Sequence, residues 1–371
     1  MRSVEWMAAA ADRLAAHSGS PRVWVGFDGF VDKILHLVDE RLDQDHYRRI
    51  EHMADFAERV AQAAGYSANI ELVAQTVKLG GNGPILADGL RHLGCRVTYA
   101  GAIGHPEIHP VFKEFADACE RVVSLAEPAS TDALEFADGK LLMGQMLSLQ
   151  EVNWDRLLQA VPREKLTAWV GGMDLVAAVN WTMLPAMNGL FEGLYAVLKG
   201  VERRPLFFVD LTDPRKRSRA DLREALAWLT RLQERADVVL GMNEQESVQV
   251  EEALFGQARE GVSLRAGRLH AALKIHLTVI HPVRTACVAS ADGVVELYGP
   301  YTTKPKLTTG AGDTFNAGLC RALLAGCSPG EAIGAGACAS GFYVQQARAP
   351  GYDEWVEFMR QWPGPSDGEA S

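Results

Sequence analysis

Residues 306–318, KLTTGAGDTFNAG, put two glycines, an acid and the start of an apolar stretch within a few positions of one another. Gly310 and Gly312 allow backbone angles that a side chain would forbid, so successive N–H groups around Ala311 can turn towards one anion. Residues 314–324 continue as an apolar helix, whose orphan N–H groups and positive dipole end add to the same site. Asp313 stands at its mouth. A carboxylate beside an anion hole suits phosphoryl transfer, where catalysis is mostly positioning and charge stabilisation and one residue accepts the attacking hydroxyl's proton. Alone, residues 310–313 would serve equally as a glycine turn with an acidic cap. They are not a dinucleotide fingerprint, because the third glycine is missing and the run lies too late for a first βαβ unit. Nor are they a P-loop, because no Gly-Lys-Ser/Thr follows.

Four further clusters could share that chemistry. Gly26-Phe-Asp28-Gly-Phe-Val-Asp32 follows an apolar run and offers two carboxylates, which accept hydrogen bonds from hydroxyls and can hold a polyol, or can cap a turn. Gly80-Gly81-Asn82-Gly83-Pro84 opens a helix with glycines and an Asn cap, and Gly94 stops it. Asn243-Glu244-Gln245-Glu246 reads as an Asn-capped helix start with early acids, or as hard oxygen ligands around Mg²⁺ and its waters. In Asp210-Leu-Thr-Asp213-Pro-Arg215-Lys216-Arg217 the basic run is a solvated loop, or Arg215 reaches a phosphate or an anionic sugar. His105 and His109 are separated by Pro106 and followed by Pro110, which removes any helical metal-ligand spacing.

The elements that must position these groups alternate. Residues 5–17 predict an amphipathic helix and 22–27 a buried first strand. From residue 82 onward, helices at 84–93, 110–119, 184–199, 220–234 and 243–255 interleave with strands at 96–102, 174–180, 206–210, 237–242, 278–281 and 286–289. Glycine- and alanine-rich helices follow at 314–326 and 329–346. This rhythm predicts an α/β fold with a mainly parallel sheet covered on both faces, and ligands beyond the strand C-termini. Residues 33–38, 69–77 and 133–143 instead alternate like half-wet strands, the last with a hairpin signal at Asp138-Gly139, and predict a small sheet covering a site.

The chain has 371 residues, is 48% hydrophobic and 23% charged, and carries a formal net charge of −10. That balance argues against nucleic acid or anionic membrane as a partner and favours a small substrate. No apolar stretch reaches the ~18 residues of a membrane span and no signal peptide is visible, so a cytoplasmic location is expected. Cys95, Cys119, Cys287, Cys320, Cys327 and Cys338 lack metal spacing and read as reduced core residues. Residues 363–371 are polar, rich in Pro and Gly, and are expected to be a disordered tail.

In their order along the chain, these motifs resemble the ribokinase-like (PfkB) carbohydrate kinases over roughly residues 22–350. The resemblance implies a three-layer α/β/α sandwich of ribokinase type over residues 1–362, with a small β-sheet lid from segments near 33–45, 68–79 and 131–146 that excludes water on closure. It implies transfer of a nucleotide's terminal phosphate to a sugar or polyol hydroxyl, with Asp313 as base and the N–H groups of Gly310, Ala311 and Gly312 as anion hole. Asp28, Asp32, Gly80, Gly81 and Asn82 would hold the acceptor, with Glu135 contributing from the lid. Asn243, Thr309 and Arg215 would meet the nucleotide phosphates, and Glu246 would act on Mg²⁺ through water. The family's usual Asn falls at Ile85, whereas this chain has Asn82. ATP is the usual donor. Lys304-Pro-Lys306, Val279-Ile-His281 and Glu135-Phe136 are similar to the ADP-dependent branch, although Leu307 stands where that branch has an acid, so both donors stay open. A nucleoside kinase, a non-catalytic sugar-binding relative, and a monomer or a lid-mediated homodimer also remain open.

Overall fold

The computed structural model describes residues 3–365, so most of the tail expected to be disordered lies outside the described residues. Among the described residues fourteen strands form two sheets: β1 (Arg22–Phe27), β2 (Phe30–Arg41), β3 (Tyr47–Arg49), β4 (Leu72–Gly80), β5 (Arg96–Gly101), β6 (Arg121–Ser124), β7 (Ala129–Phe136), β8 (Gly139–Gln145), β9 (Leu175–Val179), β10 (Leu206–Asp210), β11 (Asp237–Met242), β12 (Leu277–Ile280), β13 (Thr285–Ser290) and β14 (Gly293–Tyr298).

The nine-stranded sheet has the order β14-β13-β12-β11-β10-β9-β1-β5-β6. It is parallel from β6 to β12, and only β13 and β14 turn antiparallel at one edge. Both faces are covered, which is why these strands read as unbroken apolar runs. In β10, Phe207 and Val209 enter one core with Trp181 and Phe191, while Phe208 enters the other with Phe315 and Trp355. The fold is a three-layer α/β/α sandwich.

The three interrupting segments build the second sheet. Central β2 pairs with β4 antiparallel on one side and β7 parallel on the other, β3 extends its far end, and β8 closes the row. Alternation puts Leu35, Leu37, Leu134 and Phe136 on one face, where they pack with Met53 and Phe56. Those two residues belong to a helix, Met53–Gln62, absent from the sequence-based expectation, so the lid carries its own small core. Helices at Trp154–Ala160, Arg163–Gly171, Val262–Leu273 and Tyr352–Gln361 were likewise not foreseen.

The helix Ala311–Leu324 is locked in place by small residues. A Cβ on Gly318 would lie 2.7 Å from Ala339 Cβ, and one on Gly89 would lie 2.9 Å from Ala317 Cβ. Two neighbouring helices, Asn82–His92 and Pro329–Gln346, therefore approach it more closely than larger side chains would permit.

Candidate active site

Five adjacent strands of the large sheet release a polar residue at or just past their C-terminal ends: Asp28 after β1, Asn180 after β9, Asp210 at the end of β10, Asn243 after β11 and His281 after β12. Strand ends in a parallel sheet open onto the crevice where ligands bind. The 311–324 helix starts over this row, capped by Gly310 at φ 91°.

The first turn of that helix is a wall between two cavities. One, of about 480 Å³, is lined by Ala311, Gly312, Asn243, His281 and Thr308, and continues between Tyr301 and Gly341. The other, of about 350 Å³, lies under the lid and is lined by Gly310, Asp313, Asn82, Asp32, Thr131 and Lys216 among others. Gly310, Gly312 and Asp313 keep backbone N–H groups without a protein partner among the described residues, whereas the Ala311 N–H donates to Thr308 O at 3.1 Å. Three free donors at a positive helix end have the chemistry to hold an anion between the cavities. Ala311, expected to donate to the anion, supplies wall and not donor, because its N–H closes the turn.

Asp313 is buried, at 8% exposure, and receives Asn82 Nδ2 on Oδ1 at 2.9 Å. Among the described residues Oδ2 has no hydrogen-bond partner, which leaves it open towards the lid-side cavity that Asp313 lines. Burial pushes the Asp313 carboxyl well above the usual range, and the nearby Asp210, Asp28 and Glu246 charges add to this. Glu246 is raised to about 8 by burial and then by Asp210, and Asp210 is itself raised by burial. No lysine or arginine is ion-paired with Asp28, Asp210, Glu246 or Asp313 among the described residues. A site with surplus buried negative charge and hard oxygen groups fits a divalent cation such as Mg²⁺. Among the described residues no three His, Cys, Asp or Glu side chains converge as direct ligands.

The other expected residues divide clearly. Asp32 faces the lid cavity, hydrogen-bonded to Thr131 and close to Lys78 across the strand pairs Asp32↔Thr131 and Asp32↔Lys78. Gly80 makes room for it, since a Cβ there would lie 2.2 Å from Asp32 Oδ2. Gly81, at φ 97°, and Asn82 line the same cavity. Asp28 does not reach it. Fully buried, it accepts Asn82 N at 3.0 Å, Gly83 N at 2.7 Å and Asn180 Nδ2 at 2.5 Å, so it anchors the glycine turn in place of touching a ligand. Burial raises the Asp28 carboxyl to about 6 despite these bonds.

Glu135 also falls outside the cavity lining, because it turns along the lid to Lys140 at 2.9 Å and His36 at 3.6 Å. Thr309 lines the lid cavity, and Thr308 takes the other side. Asn243 and Glu246 form a complete capping box, with Asn243 Oδ1 accepting Glu246 N at 2.9 Å and Glu246 Oε2 accepting Asn243 N at 2.8 Å. The helix-cap reading is thus correct, and Asn243 lines the larger cavity as well. Arg215 is misplaced by the sequence reading: it is exposed, pairs with Asp213 at 3.3 Å, and borders a hollow outside the site.

Sequence reasoning missed Asn180, Asn316 and the site role of Asp210. Asn316 Nδ2 donates to Asp210 Oδ2 at 2.8 Å, holding that carboxylate under the helix. Two signals were available: a polar residue ending an apolar strand, and an Asn three residues after Asp313 on the buried face of an apolar helix.

The family model described as prokaryotic ketohexokinase matches residues 2–362. A ketohexokinase from Haloferax volcanii is 30% identical over 355 residues, covering 91% of this chain and 90% of that protein. Among solved structures, a carbohydrate kinase from Agrobacterium tumefaciens superposes with a TM-score of 0.65 at 19% identity, covering 93% of this chain and 98% of that one. An Arabidopsis thaliana ribokinase complexed with ribose and ATP gives 0.64 at 16% identity, covering 93% and 100%. These structures share the ribokinase fold.

Proposed function

Because the chain belongs to the prokaryotic ketohexokinase family and is a carbohydrate kinase, we propose that it transfers the terminal phosphate of ATP, with Mg²⁺, to a hydroxyl of a ketohexose. The observation that carries this reading is the shared wall: the first turn of the 311–324 helix presents N–H groups between the two cavities and the Asp313 carboxylate to the lid-side one. The donor occupies the cavity of His281 and Tyr301, with its terminal phosphate against Gly310, Gly312 and Asp313 N–H. The acceptor occupies the lid cavity, held by Asp32 and Thr131.

Asp313 Oδ2 takes the proton from the attacking hydroxyl while Asn82 fixes Oδ1, and the oxygen then attacks the phosphorus in line with the departing nucleotide. Mg²⁺, when bound, neutralises phosphate charge, and Asn243, Glu246 and Asp210 would hold its waters. The lid excludes solvent that would otherwise compete as acceptor.

We place the reaction in the cytoplasm; no described helix is long and apolar enough to cross a membrane. The chain acts as a monomer or pairs through the free edge of β8, where Leu142 and Met143 are exposed. A panel of ketohexoses, aldohexoses, pentoses and nucleosides, each with Mg²⁺ and either ATP or ADP, tests the assignment. Ketohexose with ATP should give the highest kcat/KM; a higher value for ADP or for a nucleoside would overturn it.

A further inference from the structure

The turn after β10 joins three observations that the scheme above does not use. Thr212 and Asp213 both have left-handed backbones, φ 57° and 47°, which residues other than glycine seldom adopt and which cluster at functional sites. The turn is held rigidly in that conformation. Asp210 Oδ1 accepts Thr212 N at 3.0 Å, Glu246 Oε1 accepts Asp213 N at 3.2 Å, and Gln249 Oε1 accepts Arg215 N at 3.1 Å. Arg217 secures the far end, its guanidinium 4.0 Å over the Trp181 ring and bonded to Trp181 O at 2.9 Å. Of the three consecutive cations, Arg215 is turned outwards and Arg217 is built into the scaffold. Lys216 alone enters the cavity that holds Asp313.

The charge balance gives that placement meaning. Buried carboxylates crowd the point where a polyanionic phosphate must arrive, and none has a cationic partner among the described residues. The Lys216 ammonium rests only loosely on Asp213, at 3.7 Å, and its side chain is half exposed, so its four-carbon stem can swing to a new anion at little cost. Lys78 and Lys140 line the same cavity, but on lid strands beside Asp32 and Glu135, at the acceptor's end.

We propose that Lys216 is a further catalytic residue, the cation that meets the equatorial oxygens of the phosphoryl group while it moves from nucleotide to acceptor. This deepens the transfer route proposed above and rests on it. The group developing charge is the migrating phosphoryl, so the contact strengthens in the transition state and acts on kcat more than on KM.

Lys216→Met, Lys216→Arg and Arg215→Met test it in the full-length enzyme, with unfolding midpoints confirming that each folds. Lys216→Met should lower kcat about 100-fold with acceptor KM within about threefold, the size seen when one transition-state donor is removed. Arg should restore at least about tenfold of that loss, and Arg215→Met should stay within about twofold of the parent. Binding of ADP with aluminium fluoride and acceptor gives an independent reading: Lys216→Met should weaken that complex about as much as it lowers kcat, while nucleotide affinity alone changes little. A Lys216→Met kcat within about threefold of the parent, or a loss confined to acceptor KM, overturns the proposal. Asp313→Asn measured alongside separates the two readings, since retained turnover there refutes the transfer route itself whatever Lys216 does.

Discussion

The two halves of the site are built differently. On the core side Asp28, Asp210, Glu246 and Asp313 are all buried, held by strand ends, a capping box and glycine-locked helices. On the lid side β4 and β8 are largely exposed, with Val77 at 50%, Leu142 at 65% and Met143 at 54%, and the small core around Phe136 and Phe56 packs one face of the sheet. A rigid half can fix reacting atoms to within the fraction of an ångström that transfer requires. An exposed half can exchange side chains or move without disturbing that geometry, so acceptor choice belongs there.

The contrast predicts a graded series. Asp313→Asn should lower turnover at least about 1,000-fold while acceptor affinity, measured by calorimetry, changes by less than about threefold. Gly318→Val tests whether rigidity matters: its side chain would meet Ala339 Cβ at 2.7 Å and Ala335 O at 3.1 Å. It should cost about 1–3 kcal/mol in denaturant unfolding and more than tenfold in kcat; full activity despite lost stability would break the link between helix position and chemistry. Asp32→Ala, across the divide, should raise acceptor KM about 10- to 100-fold with a smaller change in kcat. At the bottom of the series, Leu142→Ala should shift acceptor KM by no more than about threefold and leave the unfolding midpoint unchanged, because the residue is 65% exposed.

The buried carboxylates of the core half supply a pH signature. Glu246, raised to about 8, and Asp28, raised to about 6, bind more protons in the folded than in the unfolded chain. Their contribution to stability is therefore full below the ordinary carboxylate pKa near 4 and is lost as pH rises towards 8. The unfolding midpoint of the ligand-free protein should fall between pH 5 and 8, and Glu246→Gln should flatten that decline. Mg²⁺ with nucleotide should oppose it, since a cation favours the ionised carboxylates. A midpoint that rises over this range would place the carboxylates in a different electrostatic setting.

What could be read from one sequence follows from the range of the forces involved. Apolar runs, glycine turns and helix caps are local, so the alternating layers, the glycine-capped helix start at Gly310, the capping box of Asn243 with Glu246, and the strand origin of the lid were legible. The helix Met53–Gln62 is amphipathic but has no fully buried residue, and it was missed although its pattern is local. Side-chain direction was not legible in the same way. Asp28 and Asp32 are four residues apart and chemically alike, yet one is consumed by the N–H groups of Asn82 and Gly83 and the other faces the cavity. Among Arg215, Lys216 and Arg217, a left-handed turn fixed by Asp210 and Glu246 decides which cation points inwards.

Residue chemistry by itself thus determined that this chain carries a glycine turn with an acid at the start of an apolar helix, on an α/β frame. Only tertiary structure decided which acids and which cation line the lid-side cavity, and that one helical turn divides two cavities. Those outcomes depend on contacts between segments tens to hundreds of residues apart, such as Asn82 with Asp313 and Asp210 with Asn316, whose geometry no local pattern encodes.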